Sequence, residues 1–389
     1  MPALYSTLFL SLSKPISIME LTMERRVVTF FIDLVLVLVF CTASITSAVD
    51  GNSQWSNLGN GLEMPCHDLR VSCDGTVYAS FFSAGHADAA SLSKWNGSSW
   101  SEVLSARYVG PIVFAVGPTG HVYAGGETFI KTGSKKHPTT NIAKWDGSAW
   151  SALGTGLGSG THTQVDDMIV APDGSIYAHG IYTTVTKTEG EKMKYIIAKW
   201  NGSIWATLGT NEVRTGHLAL SPDGTLYTAI YEGNTCYVAK WNGSTWTALG
   251  TWKNGIIYSL VFAPDGTLYA GGSSGYSDNS GYVAKWNGSA WVALGSGKNG
   301  DVNALAVAPD GTLYAGRTFH HTEGVLKNYP FKGDVAKWNG STWSTVGSEM
   351  DGNVDALAVA PDGTLYAGGS FHKAGGEEVN YIVKVTASK

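Results

Sequence analysis

Seven glycines recur along the chain at Gly75, Gly120, Gly174, Gly224, Gly266, Gly311 and Gly363, and the residues at fixed distances before them hold the chemistry. Eight places before stand His67, Ile112, Asp166, Gly216, Tyr258, Asn303 and Asp355; seven before stand Asp68, Val113, Asp167, His217, Ser259, Ala304 and Ala356. The residues that follow are almost uniformly apolar, so polar groups are confined to one level. Four carboxylates and two histidines there could bind a cation, hold a hydroxyl-rich ligand or do acid–base work. The sequence proposes a ligand site of His67, Asp68, Asp166, Asp167, His217, Tyr258, Asn303 and Asp355, with Asp166, Asp167 and Asp355 as candidate ligands of a divalent cation such as calcium. A channel lined only by solvated side chains carries equal weight.

These positions come together only if the elements around them do. The stretch Val283 to Gly316 is the clearest copy of a unit that repeats every 42 to 54 residues. It holds four short strand-forming runs. Val283–Trp286 and Trp291–Leu294 flank Asn287-Gly288-Ser289, a hairpin signal; Ala304–Ala308 and Thr312–Ala315 flank Pro309-Asp310-Gly311, a second. The second hairpin occurs seven times, but Lys-Trp-Asn/Asp-Gly-Ser-x-Trp occurs six times, from Trp95/Trp100 to Trp338/Trp343. The missing copy is split. Tyr381–Val385 ends the chain as an unpartnered strand, and Gln54–Gly59 supplies its partner. This predicts an all-β fold: a seven-bladed β-propeller with four antiparallel strands per blade, closed by an N-terminal outer strand and three C-terminal strands. Each Ala-Leu-Ala-Val-Ala run is the inner strand.

Met1 to Ala48 is unlike the rest. Arg25-Arg26, an apolar run from Val27 to Cys41 and Thr46-Ser47-Ala48 read as a secretory signal over residues 1–48, with Met23 the expected start. Residues 49–389 are expected to form one propeller domain, with no membrane span once the signal is removed. The alternative is an uncleaved anchor, disfavoured by a short core that carries Asp33. Net charge is −5, with 15% charged residues and 49 glycines, which gives nucleic acid or an anionic membrane nothing to attract. The remaining cysteines, Cys66, Cys73 and Cys236, have no metal spacing, and Cys66 and Cys73 stand too far apart along one strand to bridge.

Repeated residues usually build the repeat. The paired tryptophans are read as filler between blades, each contributing at most about 4 to 6 kcal/mol by burial; a ring of aromatic sugar platforms is the functional alternative. Lys94, Lys144, Lys199, Lys240, Lys285, Lys337 and Lys384 are read as rim residues whose stems lie along neighbouring blades. Asn96, Asn201, Asn242, Asn287 and Asn339 open Asn-Gly-Ser sequons that would carry glycans in a eukaryotic host; as turn residues they need no such role, and Asp146 fills the same place. Function is expected where repeats differ: the mouth, and upper-face loops such as Thr183 to Lys194 and Arg317 to Lys332. His320-His321 is loop surface as readily as metal ligand. No GxSxG, HExxH, nucleotide-binding or calcium-loop motif is present.

AKWNGSTWTALG and ALAVAPDGTLYAGG resemble the repeats of seven-bladed propellers of the kelch/galactose-oxidase central domain, NHL and SMP-30-like groups, and Trp-Asn-Gly-Ser-x-Trp is similar to fungal Rax2-type cell-surface propellers. The resemblance covers Ser53 to Val385. It implies the fold and leaves activity open among scaffolds, lactonases, lyases and oxidases; the copper ligands of galactose oxidase have no counterpart, so an oxidase is not implied. The sequence therefore predicts a secreted or cell-envelope, monomeric, non-catalytic binding propeller with a protein or carbohydrate partner. The alternatives are a lyase or lactonase-like hydrolase with a divalent cation at the mouth, and a multivalent lectin.

Overall fold

The computed structural model describes residues 54–385, apart from 84–88, 108–110, 131–139, 159–161, 187–189, 210–213, 234, 253–254, 274–280, 296–299 and 320–331. Residues 1–48, His320-His321 and most of the Arg317 to Lys332 connection lie outside the described residues. The described chain is all β: seven sheets of antiparallel strands arranged as the blades of a ring. The inner strands, in order, are Cys66–Val71, Val113–Val116, His162–Val170, Arg214–Leu220, Ile256–Phe262, Asp301–Val307 and Val354–Val359.

Closure follows the split repeat. Blade 7 orders Ser56–Asn57, Ile382–Val385, Leu365–Gly369 and Val354–Val359, and Ser56 pairs with Lys384. The ring is tied at every seam by one device. The second tryptophan of each hairpin donates its indole N–H to a carbonyl in, or just after, the preceding blade's outer strand: Trp100 to Leu58, Trp150 to Val103, Trp205 to Leu153, Trp246 to Leu208, Trp291 to Leu249 and Trp343 to Leu294, at 2.7–3.3 Å. Trp55 completes the set by donating to Ser348 at 3.3 Å. Within a hairpin the two rings are direct cross-strand partners, as in Trp95 opposite Trp100, with centroids 5.1–5.5 Å apart. The second tryptophan of each hairpin therefore commits its indole N–H to the ring, and its partner packs against it.

Two expectations need correction. Each repeated lysine lies opposite a tyrosine of its own blade, as Lys199 opposite Tyr177 and Lys240 opposite Tyr227, with the ammonium 5.2 and 5.8 Å from the ring centre. For these two lysines the cross-strand tyrosine receives the ammonium, where packing along the neighbouring blade was expected. Thr183 to Lys194 is also mostly ladder: Ile176–Thr186 and Gly190–Trp200 pair as far as Thr186 with Gly190. Alternating β-branched and long residues extend the strands where a loop was expected.

Blade 6 carries an addition. The hairpin Lys373–Ala374 and Glu377–Glu378, which belongs to blade 7, joins the outer strand of blade 6 through Met350 and Ala374. Asp351 accepts from the His372 and Lys373 amides, Phe371 is fully buried, and Asn57 donates to the Glu378 carbonyl. The closing seam is thus clasped from both sides.

Candidate functional site

The inner strands do not run smoothly. In blades 1, 3, 4, 5, 6 and 7 the register with the second strand slips by one residue at the start. Cys66 pairs with Phe81 and Asp68 with Ser80, so His67 is the extra residue; Asp166, Tyr258, Asn303 and Asp355 are extra in the same way, and in blade 4 the slip spans Gly216 and His217. A bulge turns a strand locally and re-aims the side chain beside it. The residues picked out by spacing are therefore the bulge residues and the ones after them.

The next residue does a second job. Asp68 accepts from the Leu69 amide at 2.8 Å, and Asp167 from the Met168 amide at 2.8 Å. Asp167 also reaches the next blade, where its other oxygen takes the Leu218 amide at 2.9 Å; Ser259 does the same for Leu305 at 3.1 Å. These are blade-to-blade clamps.

The structure brings some of the proposed residues together and leaves others apart. His217 Nδ1 stands 3.6 Å from Asp167 Oδ2, with the imidazole half open to solvent and the carboxylate nearly covered. Arg70 stands 3.3 Å from Asp68. Asp68 and Asp167 feel each other's charge, as do His67 and His217, so blades 1, 3 and 4 share one electrostatic centre. Asn303 donates to Asp355 at 3.2 Å and to Thr318 at 2.9 Å, a separate pair on blades 6 and 7. Asp166 is held by Gln164 at 2.7 Å on its own strand, and Tyr258 meets Ser273 within its own blade. Among the described residues no three His, Cys, Asp or Glu side chains converge to hold a metal ion, so Asp166, Asp167 and Asp355 do not form a cage. Arg70, Asp167, His217 and Ser259 open into a central cavity of ≈ 400 Å³.

Burial splits the carboxylates. It pushes Asp166 up to about 6, against the Gln164 hydrogen bond, and Asp355 up to about 6, against Asn303. Burial would also raise Asp167, but the nearby imidazoles of His217 and His179, with Arg70, hold it at about 2. Asp68 is raised by burial, with Arg70 opposing and Asp167 adding. The His67 ring is exposed along the channel, yet its packed surroundings lower it, helped by His217 and Arg70 and resisted by Asp68.

Spacing alone missed Arg70, Ser80 and His179. Ser80 faces Asp68 and His179 faces Asp167 across the ladder, where four other blades have Gly125, Gly271, Gly316 and Gly368. A side chain at three of those glycines would strike the next blade: 2.8 Å from Val302, 2.7 Å from Val354 and 2.5 Å from Cys66 for Gly271, Gly316 and Gly368. The signal was a departure from Tyr-Ala-Gly to Tyr-Ala-Ser and Tyr-Ala-His. Ser80 Oγ, His179 Nδ1, Thr215 Oγ1 and Asn353 Oδ1 are the buried side-chain atoms without a partner among the described residues. All four flank the bulges of blades 1, 3, 4 and 7, the blades whose mouth residues are charged. Burial holds His179 neutral, at about 4.

The five sequon asparagines stand at exposed hairpin tips. In each, Oδ1 accepts from the amides two and three residues on, as Asn287 does from Ser289 and Ala290 at 2.9 and 2.8 Å. Asp146 makes the same turn, so the amide nitrogen is not needed for it.

Residues 360–388 match a family described as a β-propeller domain of unknown function (DUF5122). No curated protein matches in sequence. Solved structures similar in fold include a puromycin hydrolase (TM-score 0.58, 13% identity over 87% of this chain) and YCF48 bound to a D1 peptide (0.56, 13%, 89% of this chain and all of that one). Virginiamycin B lyase from Staphylococcus aureus is another (0.54, 11%, 86% and 98%). The chain spans 55% of the hydrolase's length. At these identities the likeness is one of fold.

Proposed function

We propose that this is an exported binding propeller whose upper mouth takes a hydroxyl-rich ligand, a glycan at the cell surface. One observation carries the reading: at a bulge in a fixed place on the inner strand, blades 1, 3, 4 and 7 carry ionisable side chains with unpartnered polar atoms beside them. Carboxylate acceptors beside imidazole, guanidinium and amide donors suit hydroxyl groups, which both give and take hydrogen bonds. A lectin built on the tryptophan hairpins is disfavoured because the second indole N–H of each hairpin is engaged at a seam. Propellers similar in fold include a peptide-bound one, a hydrolase and a lyase, so the fold accommodates either binding or chemistry.

The test is an array of cell-surface glycans probed with the secreted chain and with Asp166→Asn/Asp355→Asn. The reading expects a restricted set of glycans bound by the native chain and at least tenfold weaker binding by the variant. Binding that is unchanged in the variant, or no glycan bound, would overturn it and leave a protein partner for the upper face.

A further inference from the structure

We propose that a second cleft, at the seam where the ring closes, binds an organic cation bearing a substituted ammonium group. The cleft has a volume of ≈ 690 Å³ and shares no lining residue with the central cavity, so this site is independent of the mouth. Trp95, Trp100 and Tyr381 line it, together with Glu63, Asn60 and Asn380.

Two departures from the repeat build it. Residues 58–63, Leu-Gly-Asn-Gly-Leu-Glu, repeat residues 153–158, Leu-Gly-Thr-Gly-Leu-Gly, so Glu63 stands where the other copy has Gly158. In that copy the Leu157 amide is held at 2.8 Å by the side chain of Asn141, three places before Lys144. Tyr381 takes the same place before Lys384, and a phenol cannot do the work of that amide. The equivalent Leu62 amide goes instead to the Asn380 carbonyl, at 2.9 Å. The backbone turns to allow it: Asn380 and Tyr381, at φ 46° and 71°, are the only residues other than glycine with positive φ among the described residues. A tyrosine is disfavoured in that conformation, and such outliers gather at ligand clamps. The exchange sets an aromatic ring in the cleft where blade 2 has an amide.

The lining has the chemistry of a cation site. Tyr381 is held by His372, with ring centroids 4.6 Å apart and Nε2 hydrogen-bonded to the phenol oxygen at 2.8 Å. Trp95 and Trp100 stand with centroids 5.5 Å apart, and Trp100 has given its N–H to Leu58. What an indole and a phenol ring then offer a ligand is π surface, whose negative face attracts a cation. Glu63 is exposed, and it is the one charged side chain among the described residues that line the cleft. An alkylammonium ion matches both features: its carbon surface suits the aromatic walls and its charge meets the carboxylate.

The experiment is titration calorimetry of the full chain with choline chloride and with 3,3-dimethyl-1-butanol, the uncharged molecule of the same shape. The expected result is binding of choline, with the uncharged molecule at least tenfold weaker. Glu63→Gln and Tyr381→Leu should each weaken choline about tenfold, and Tyr237→Leu, the same strand position in blade 4, should leave it unchanged. Glu63 is exposed, so its variant keeps the test readable if Tyr381→Leu melts early. Sedimentation with phosphatidylcholine vesicles then separates the sources: co-sedimentation lost in Glu63→Gln supports a lipid headgroup, and choline binding without it supports a soluble ammonium compound. No heat with choline, equal affinity for the uncharged molecule, or full affinity in Glu63→Gln would overturn the proposal.

Discussion

The two ends of each inner strand obey opposite rules. At the far end, the Asp-Gly turn is nearly the same in every blade: Asp74, Asp173, Asp223, Asp265, Asp310 and Asp362 each accept the amide two residues on at 2.8–3.0 Å, and the glycine that follows sits near φ 81–85°. At the near end, a bulge recurs in six of the seven blades, but the residue it carries changes from histidine to aspartate to tyrosine to asparagine. The backbone device is constant and the side chain is not. A position that the fold fixes without dictating its chemistry is free to be used for recognition, and the turn is not.

If that contrast holds, damage to repeated features should cost stability, and damage to the mouth should cost function. The largest loss is expected at the closure. A chain beginning at Gly61 lacks Trp55, the fully buried Leu58 and the carbonyl that receives Trp100, and leaves an edge strand bare. It should melt more than about 10 °C lower and aggregate; melting within about two degrees of the chain from Val49 onward would break the ring account.

Asp167 is the exception that sharpens the comparison, since it serves both purposes. Asp167→Ala strands the buried Leu218 amide and should cost about 2 to 3 kcal/mol by denaturant unfolding, whereas His67→Ala should cost under about 1 kcal/mol. Similar costs would mean that the clamp contributes nothing.

The other mouth carboxylates should be destabilising at neutral pH. Asp166 and Asp355 hold their protons up to about 6, above the ordinary 3.8, so the folded chain binds protons that the unfolded chain has lost. Their contribution favours folding below about pH 4 and disappears as pH rises through 6. Asp166→Asn and Asp355→Asn should each gain roughly 1 to 3 kcal/mol relative to the native chain between pH 4 and pH 7.5. A stability difference that stays flat over that range would remove the strain argued for the mouth.

The smallest effect separates conformation from contact. Gly311 has φ 85° and open space around it, so Gly311→Val is penalised only for its backbone angle, about 1 to 2 kcal/mol. Ser341→Ala removes one exposed hydrogen bond to Asn339 and should cost under about 0.5 kcal/mol in the same unfolding assay. Equal losses would place the constraint elsewhere in the turn.

The ring was legible because its period is written in glycines and tryptophans, and the split hairpin at the termini left closure as the natural solution. The level of the mouth was legible for the same reason. What spacing could not supply was lateral: whether Asp167 meets His217 or Asp355 depends on blade twist and on bulges, which change register without changing the count to the glycine. The cross-strand contact of Lys199 with Tyr177 was not legible, because pairing across a hairpin competes with packing between blades and the sequence weighs neither. Ser80 and His179 were readable as broken repeats, but only the ladder sets them opposite Asp68 and Asp167.

The most direct measurement is amide hydrogen exchange of the full chain with and without an array-selected glycan. The account predicts slowed exchange at Leu69, Met168 and Leu218, beside the bulges, and no change at Thr225, Thr267 and Thr312 in the turns at the other end. Protection of the turn amides, or of the tryptophan hairpins, with the mouth amides unaltered would contradict it.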